Sequence, residues 1–393
     1  MPEPLIYLDH NATTPLDPRV LNAMLPYLRD AFANASSPHA AGRAVARAVD
    51  VAREQVASAI GADPREIVWT SGATEANNLA IRGAAASPAY RGRSRIVTVA
   101  TEHPAVLEPC HALALQGYEV VTLGVDVDGM IDLEGLQEAV TPETLLVSVM
   151  FANNETGVLQ PISEIGALCQ DRSVLFHTDA TQAFGREGID VNRAHIDLLS
   201  VSAHKAYGPK GSGALFVRRK GPRARIEPML LGGGHERGMR SGTLNVPGIV
   251  GLGVAAGLAA EGVETGRVRT RTLRDDLERR LEVRFPGLML NGHRTNRLAN
   301  TLNATLPGIP AQRVAECALG LAVSSSAACT SAKRLPSYVL RAMGLSEEAI
   351  RSSLRFSLGR FTTQAEIECV ADRLADAIAD AASEAPACDP DPF

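Results

Sequence analysis

The sequence predicts an α/β protein built on a mainly parallel sheet. From about residue 65, short runs rich in valine, isoleucine and leucine alternate with helical patterns, and turn residues separate them. This alternation is typical of a parallel sheet that helices cover on both faces. The chain has 393 residues, which is too long for one compact core and therefore predicts two domains.

The predicted elements follow one another in a regular order. Three apolar runs each precede a helical pattern: EIVWT (66–70), RIVTVA (95–100) and TLLVSVMFA (144–152). Three further runs are strand-like: VLFHTDA (174–180), DLLSVSA (197–203) and GALFVRR (213–219). Beyond Gly248 the pattern becomes helical, and a second unit follows that contains TLNATLPG and the closing helix AEIECVADRLADAIADAA. We place the domain boundary near residue 260.

Composition and charge argue against several classes of protein. Hydrophobic residues make up 45% and charged residues 21% of the chain, which is ordinary for a globular protein. The formal net charge of −5 gives no electrostatic reason to bind nucleic acid or an anionic membrane. The N-terminal segment lacks the features of a signal peptide, and the longest apolar stretch, 248–260, is too short to span a bilayer. We therefore expect a cytoplasmic protein that binds neither nucleic acid nor membrane.

The six cysteines predict neither a zinc site nor a disulfide framework. No two of them form a C-x-x-C pair, and a chain of this size without a secretion signal rarely depends on disulfides. We expect no metal centre. A metal site built on His177, Asp179 and His204 is the one alternative that the residues leave open.

Polar residues follow five of the apolar runs, at the points where the predicted strands end. They are the Ser71–Thr74 turn, His103, Asn154, Asp179 and the His204-Lys205 pair. Each has an ordinary explanation by itself: a helix N-cap, a solvated histidine, an Asn/Gly turn, or an ion pair between the aspartate and an arginine. Ligands of parallel sheets bind outside the carboxyl ends of the strands. Taken together, these residues predict a common pocket.

Lysine is rare in this chain, and its placement indicates the chemistry of the pocket. Only four lysines occur; Lys210 is interpreted as a loop residue, and Lys220 and Lys333 as surface residues. Lys205 directly follows a predicted strand, and only a primary amine forms a Schiff base with an aldehyde, which a guanidinium cannot do. Pyridoxal phosphate would use such a lysine, a carboxylate for its ring nitrogen, a helix N-terminus for its phosphate and a flat ring for stacking. We therefore predict pyridoxal phosphate as the cofactor.

Nine motifs resemble those of the cysteine desulfurase family. They run in collinear order from about residue 5 to residue 370: YLDHNATTP, TSGATEANNLAI, TEHPAVLEPC, NNETGVLQPI, HTDATQAFG, SAHKAYGPKGSGAL, GGGHERGMRSGTLN, SSSAACTSA and RFSLGRFTT. This family belongs to the class V aminotransferase group of fold type I pyridoxal-phosphate enzymes. The chain is most similar to the nitrogenase and iron–sulfur-cluster branch, which has a long catalytic-cysteine loop.

The resemblance implies a division of the chain. A large cofactor-binding domain, residues 16–260, would have an aspartate aminotransferase-like fold with a mainly parallel seven-stranded sheet. A smaller α+β domain, residues 261–380, would carry the catalytic-cysteine loop. Residues 1–15 would form an N-terminal arm belonging to the small domain, and residues 381–393 a disordered tail.

The resemblance also implies roles for individual residues. Lys205 would bond to the cofactor, His103 would stack on its ring and act in proton transfer, and Cys329 would be the nucleophile. Independently, Cys329 lies in a run of small, hydroxyl-bearing residues, which packs poorly and can move. The resemblance implies that Asp179 contacts the pyridinium nitrogen and that Gln182 contacts the phenolic oxygen. Thr74, Ser202 and His204 would bind the phosphate, with Ala73 also at the cofactor, and Thr243 would reach the phosphate from the second subunit of a homodimer. Asn154 and Arg355 would bind the substrate carboxylate.

The implied function is conversion of L-cysteine to L-alanine, with a persulfide formed on Cys329. The sulfur would pass to a protein acceptor for iron–sulfur clusters or for the thio-modification of tRNA or DNA. Ser326 and Ala327 depart from the family's usual Gly-Ser, and the tail around Cys388 lacks the aromatic, histidine-containing end that docks a cluster scaffold. The alternatives are a selenocysteine lyase, another class V aminotransferase and a non-catalytic sulfur carrier.

Overall fold

The structure is a computed structural model that describes residues 5–309, 311–318, 320–325 and 336–383. Cys329, Ser326, Ala327 and Cys388 lie outside these residues. The predicted tail falls outside them from residue 384 onward, and the last helix extends to Ser383.

The described residues form thirteen strands, numbered in chain order. They are β1 Ile6–Tyr7, β2 Ile67–Thr70, β3 Arg95–Val99, β4 Glu119–Leu123, β5 Thr144–Ser148, β6 Leu175–Asp179, β7 Leu198–Ser202, β8 Gly213–Val217, β9 Met289–Leu290, β10 Thr301–Thr305, β11 Leu321–Ala322, β12 Ser324–Ser325 and β13 Ser353–Ser357. All six apolar runs named from the sequence form strands.

Eleven α-helices accompany them. They are α1 Pro18–Arg29, α2 Ala40–Ser58, α3 Ala73–Ala85, α4 Pro104–Ala114, α5 Leu133–Ala139, α6 Ile162–Asp171, α7 Val246–Arg284, α8 Ala311–Cys317, α9 Tyr338–Ala342, α10 Glu347–Arg351 and α11 Gln364–Ser383.

The large sheet has seven strands in the order β2-β8-β7-β6-β5-β3-β4. Its pairings are parallel except for those of β8, which runs antiparallel to both of its neighbours. The predicted α/β class and the mainly parallel seven-stranded sheet are therefore confirmed. Strand β4 was not predicted from its own sequence, because it is an edge strand with few buried side chains and so lacks the continuous apolar run of the central strands.

Helices cover both faces of this sheet, as its apolar runs require. One face packs against α2, α6 and the first half of α7, around Phe176 and Phe216. The other packs against α3 and α4, around Leu79 and Val106. Buried apolar side chains line both faces, and the carboxyl ends of β2, β3, β5, β6 and β7 lie at one edge of the sheet.

A second core is built around the C-terminal part of the chain. Strands β12, β13, β10 and β9 form an antiparallel sheet, and β1 pairs in parallel with β11. Ile6 and Leu8 of the N-terminal segment join this core, together with Leu277 of α7 and Leu374 of α11. The N-terminal segment thus packs with the C-terminal residues, and the division into domains remains a prediction.

Helix α7 links the two cores without a break. Its first half, including Ile249 and Leu252, packs into the large core, and Leu273 and Leu281 pack into the second. Residue 260, the predicted boundary, lies inside this helix. Among the described helices α7 alone is long and apolar enough to cross a membrane, but just over half of its apolar window is buried inside the protein. Such burial is the signature of a core helix.

Candidate active site

A cavity of about 780 Å³ opens at the carboxyl ends of the central strands. Ten of the residues predicted for the site line it: Ala73, Thr74, His103, Asn154, Asp179, Gln182, Ser202, His204, Lys205 and Arg355. The cavity also receives residues 9 and 11–13 of the N-terminal segment and Ser324 of β12. Two predicted residues are not among its lining: Thr243 lies on an exposed loop, and Cys329 is outside the described residues.

Lys205 enters the cavity from a short 3-10 turn that directly follows β7. Its Nζ donates hydrogen bonds to the backbone carbonyl oxygens of Asn11 and Ala12, the latter at 2.6 Å. These acceptors are neutral, and Lys205 is only partly buried. The amine is therefore held at the cavity by the backbone of the N-terminal segment.

Asp179 ends β6 and is buried, with 7% of its surface exposed. Its two carboxylate oxygens accept hydrogen bonds from Asn77 Nδ2 at 2.7 Å and from the Thr181 backbone N–H at 2.9 Å. Within the described part of the chain it forms no salt bridge, so the ion pair with an arginine is not observed there. A buried carboxylate held only by neutral donors is suited to a cation that a ligand brings.

The His103 ring lies open to the cavity and caps helix α4. Its Nδ1 accepts the Ala105 backbone N–H at 3.1 Å, which leaves the proton of the neutral ring on Nε2. The protein packed around the ring lowers the pKa of His103 by desolvation; Lys205 lowers it further and Asp179 opposes the shift. The ring is therefore neutral at physiological pH. A flat, neutral ring is suited to stacking on an aromatic ligand.

The remaining alternative, a metal site, does not form. His177 is fully buried, and its two ring nitrogens contact the hydroxyls of Ser148 at 2.8 Å and Ser200 at 3.1 Å. Burial lowers the pKa of His177 to about 4 although Asp179 raises it. Its nitrogens are thus used inside the sheet, and the described residues contain no cluster that could hold a metal ion.

Helix α3 begins at the cavity with its N-terminus uncapped by any side chain. The cap residue is Gly72, so the predicted alternative of an N-cap by Ser71 or Thr74 is wrong. A Cβ at Gly213 would lie 2.6 Å from Gly72 Cα, so glycines let the turn pack against β8. The free N–H groups at this N-terminus, with the Ser202 and His204 side chains beside them, form an arrangement that suits a phosphate.

His204 is neutral at this end of the cavity. Burial lowers the pKa of His204 to about 4, and Lys205, Lys210 and Arg186 lower it further. Its Nδ1 lies 3.1 Å from the Thr13 hydroxyl. The neutral ring can therefore act as a hydrogen-bond donor without adding charge.

Arg355 and Asn154 also line the cavity. Arg355 donates to Asp9 Oδ1 at 2.7 Å, to Ser324 Oγ at 2.9 Å and to the Asn154 carbonyl at 3.0 Å. The arginine is thus fixed in place and desolvated, with 3% of its surface exposed. A guanidinium binds carboxylates through its planar donors, and here it already forms an ion pair with Asp9 at the cavity.

Sequence reasoning missed two contributions to this cavity. Asp9, Asn11 and Thr13 reach it from the N-terminal segment, and Lys210, interpreted as a loop residue, lines it as well. The motif YLDHNATTP contains the residues of the N-terminal segment, but no local sequence pattern indicates which of its side chains face the cavity. Two of the four lysines of the chain therefore lie at this one cavity.

The residues present fit pyridoxal phosphate. The volume lies within the usual range of ligand sites, and Asn154 Oδ1 and Thr181 Oγ1 are buried polar atoms to which the described residues supply no hydrogen-bond partner. Buried polar atoms without a hydrogen-bond partner in the protein normally bond to a ligand or to water. The lysine, the carboxylate, the flat ring and the uncapped helix are those that the cofactor requires.

Comparisons with known proteins agree with this fit. The model of the class-V aminotransferase family matches residues 6–370. Cysteine desulfurase IscS of Anaeromyxobacter sp. (strain K) is 51% identical over 364 residues, which cover 92% of this chain and 90% of that protein. Of the solved structures, a NifS-like protein matches with a TM-score of 0.88 at 33% identity, over 96% of this chain and 100% of that one. SspA in complex with cysteine matches with a TM-score of 0.79 at 37% identity, over 91% and 99%.

The chain belongs to the class-V aminotransferase family, whose members bind pyridoxal phosphate. Within that family its place is among the cysteine desulfurases. The predicted family, enzyme class and cofactor are therefore confirmed.

Proposed function

We propose that this enzyme converts L-cysteine to L-alanine and carries the released sulfur as a persulfide on Cys329. The observation that carries the proposal is the placement of Lys205, Asp179, His103 and Arg355 around one cavity. It combines an amine for the cofactor with a cation for an amino-acid carboxylate. The likeness to SspA in complex with cysteine supports the choice of substrate.

The residues divide the work between binding and proton transfer. Pyridoxal phosphate, when bound, supplies an electron sink for negative charge at the substrate Cα. Asp179 would hold the ring nitrogen in its protonated form, and Arg355 with Asn154 would hold the substrate carboxylate within reach of Lys205. Lys205 takes the Cα proton as general base, and the neutral His103 stacks on the ring and exchanges protons with the substrate.

The sulfur transfer balances without an added oxidant. The Cys329 thiolate attacks the substrate sulfur, so a sulfur–sulfur bond forms and the carbon–sulfur bond breaks. The electron pair of the broken bond stays with the carbon, which is then protonated to give L-alanine. A thiol acceptor afterwards attacks the outer sulfur and regenerates the Cys329 thiolate. We place this acceptor on a protein that serves iron–sulfur clusters or thio-modification of tRNA or DNA, in the cytoplasm.

Alanine formation from L-cysteine, with a thiol reductant present, tests the activity. We expect turnover by the holoenzyme and release of sulfide in equal amount, because the reductant clears the persulfide. Transamination without sulfide release would instead indicate another class V aminotransferase. Turnover of L-selenocysteine but not of L-cysteine would indicate a selenocysteine lyase, and absence of both activities from the cofactor-loaded protein would contradict the proposal.

We place the enzyme in a homodimer in which Thr243 completes the partner's site. Helix α1 exposes the apolar side chains of Leu21, Leu25 and Leu28 along one face, and Phe32 beyond it is 83% exposed. Exposed apolar patches of this kind favour a protein interface. Thr243 is exposed as well, and Leu231 of the same loop is 83% exposed.

The loop that carries Thr243 is held in a defined position. Arg53 donates to both carboxylate oxygens of buried Glu236, at 2.8 and 2.9 Å, and the Trp69 backbone N–H donates at 2.9 Å. Arg240 further along the loop pairs with Glu75 of helix α3 at 2.7 Å. These contacts set the loop before a partner arrives, which lowers the entropy cost of association.

Subunit complementation tests the placement of Thr243. We expect Thr243→Ala to need more pyridoxal phosphate for half-maximal activity, and Lys205→Ala to be inactive. When the two variants are mixed under conditions of subunit exchange, one site of each mixed dimer combines an intact Lys205 with an intact Thr243. Its cofactor requirement should return to that of the unaltered protein. No recovery on mixing, or a monomer by sedimentation, would contradict the placement.

A further inference from the structure

Arg186 lies behind the cavity, and its hydrogen bonds go to neutral oxygens. Its guanidinium donates to the side-chain oxygens of Gln182 at 2.5 Å and Asn11 at 3.0 Å. It also donates to the backbone carbonyls of His10 at 3.1 Å and of Lys205 at 3.3 Å. Throughout the described residues it forms no salt bridge. The surrounding protein lowers the pKa of Arg186 to about 10 by desolvation, so the group still carries its charge at physiological pH.

Arg186 is partly buried, and a desolvated guanidinium that donates only to neutral oxygens costs free energy to maintain. The chain therefore gains something from it that a smaller neutral residue would not supply. The position of its acceptors indicates what this is, because Gln182 and Asn11 both line the cavity.

Arginine only donates hydrogen bonds, so it decides which way an amide points. With Gln182 Oε1 held by Arg186, the amide nitrogen is turned the other way. That nitrogen donates one hydrogen to the Asn11 carbonyl at 3.0 Å. Since an amide nitrogen carries two hydrogens, one remains for the cavity.

The same arginine orients Asn11. Asn11 Oδ1 accepts from Arg186 and from Asn300 Nδ2, both at 3.0 Å. Its Nδ2 then donates to the Asn154 carbonyl at 3.2 Å and to Thr301 Oγ1 at 2.9 Å. The Asn11 carbonyl is meanwhile an acceptor for Lys205 and Gln182. Arg186 thus helps to orient both side-chain amides, together with the Asn300 donor and the Asn11 carbonyl acceptor.

We propose that Arg186 is a positioning residue that forces Gln182 to present an N–H donor, never its oxygen, to the phenolic oxygen of the bound cofactor. The inference rests on the proposed contact between Gln182 and that oxygen. A donor there stabilises the deprotonated, negatively charged phenolic oxygen. The protonation equilibrium of the resting cofactor then lies at lower pH than it would without the donor.

The test is a pH titration of the cofactor's visible absorbance in the holoenzyme without substrate. We expect Gln182→Leu to move the midpoint up by roughly one unit, the effect of one hydrogen bond to a charged group. Arg186→Met should shift the midpoint in the same direction by a smaller amount, because only the Asn11 carbonyl then holds the Gln182 amide in its present direction. The double variant Arg186→Met/Gln182→Leu should shift no further than Gln182→Leu alone. Arg193→Met, at an exposed arginine seven residues along the chain, is the control and should leave the midpoint unchanged.

Each other result has a definite meaning. Additive shifts, or no shift in Arg186→Met while Gln182→Leu shifts, would show that Arg186 does not act through Gln182. An unchanged midpoint in Gln182→Leu would show that Gln182 does not contact the phenolic oxygen, and it would therefore contradict the inference. If Arg186→Met does not fold, Arg186→Gln serves instead: its amide can accept as well as donate, so it no longer dictates the direction of the Gln182 amide. An upward shift is expected, and an unchanged midpoint overturns the proposal.

Discussion

Lys205→Arg is expected to abolish alanine formation from L-cysteine, with a loss of about 10⁴-fold or more. Two functions disappear together: the covalent bond to the cofactor, which a guanidinium cannot form, and the general base, whose loss alone costs about 10²–10⁴-fold. Arginine keeps the positive charge and can still donate to the Asn11 and Ala12 carbonyls, which accept from Lys205. The variant therefore separates amine chemistry from charge.

Mass spectrometry after borohydride reduction measures the covalent bond directly. The unaltered protein should carry the cofactor's mass on the peptide that contains Lys205, and Lys205→Arg should carry none. Lys220→Arg is the matched control, since Lys220 is an exposed lysine outside the cavity, and it should keep both activity and label. Activity within tenfold of the unaltered enzyme in Lys205→Arg would mean that another amine does the work.

Cys329→Ala is expected to lower alanine formation by at least about 10³-fold while leaving cofactor absorbance intact. In the proposed reaction the carbon–sulfur bond breaks as the Cys329 thiolate accepts the sulfur, so the reaction stops without that nucleophile. Among the described cysteines, Cys110 and Cys169 are buried in the cores, and burial raises the pKa of Cys110 to about 12 and that of Cys169 still higher. Neither can form the thiolate that attacks sulfur.

The control for this variant is Cys369→Ala, because Cys369 is exposed on helix α11. It should retain full activity and the persulfide that mass spectrometry detects on the unaltered protein. If Cys329→Ala turned over as fast as the unaltered protein, Cys329 would not be the nucleophile, and aminotransferase or lyase chemistry would be favoured.

The sequence predicted the features that depend on local patterns. Strand β6 begins with the apolar residues Leu175 and Phe176 and ends in Asp179, so the chemistry at its end was visible in the sequence. Lys205 could be singled out because lysine is rare and because an imine requires a primary amine. The resemblance then supplied roles for residues such as Gln182 and Arg355, which no local pattern would have distinguished.

What escaped prediction depends on contacts between distant parts of the chain. Edge strand β4 is held by its pairing with β3, and Asp9 gains its place at the cavity by pairing with Arg355. Arg186 gave no signal in the sequence, since its partners become apparent only once Asn11 and Gln182 are brought together. Hydrogen-bond direction of this kind is a property of the folded network.

The N-terminal segment that lines the cavity has a consequence for how the enzyme is made. Asp9 and Arg355 are separated by 346 residues, and so are Asn11 and Ser357, whose hydroxyl accepts the Asn11 backbone N–H. Contacts of such long range form late, because closing so large a loop costs entropy before any reward. A chain emerging from the ribosome holds the lysine and most of the large sheet well before β13 exists. We therefore expect the cofactor to be captured only after β13 has been synthesised, as the N-terminal segment docks against this newly made strand.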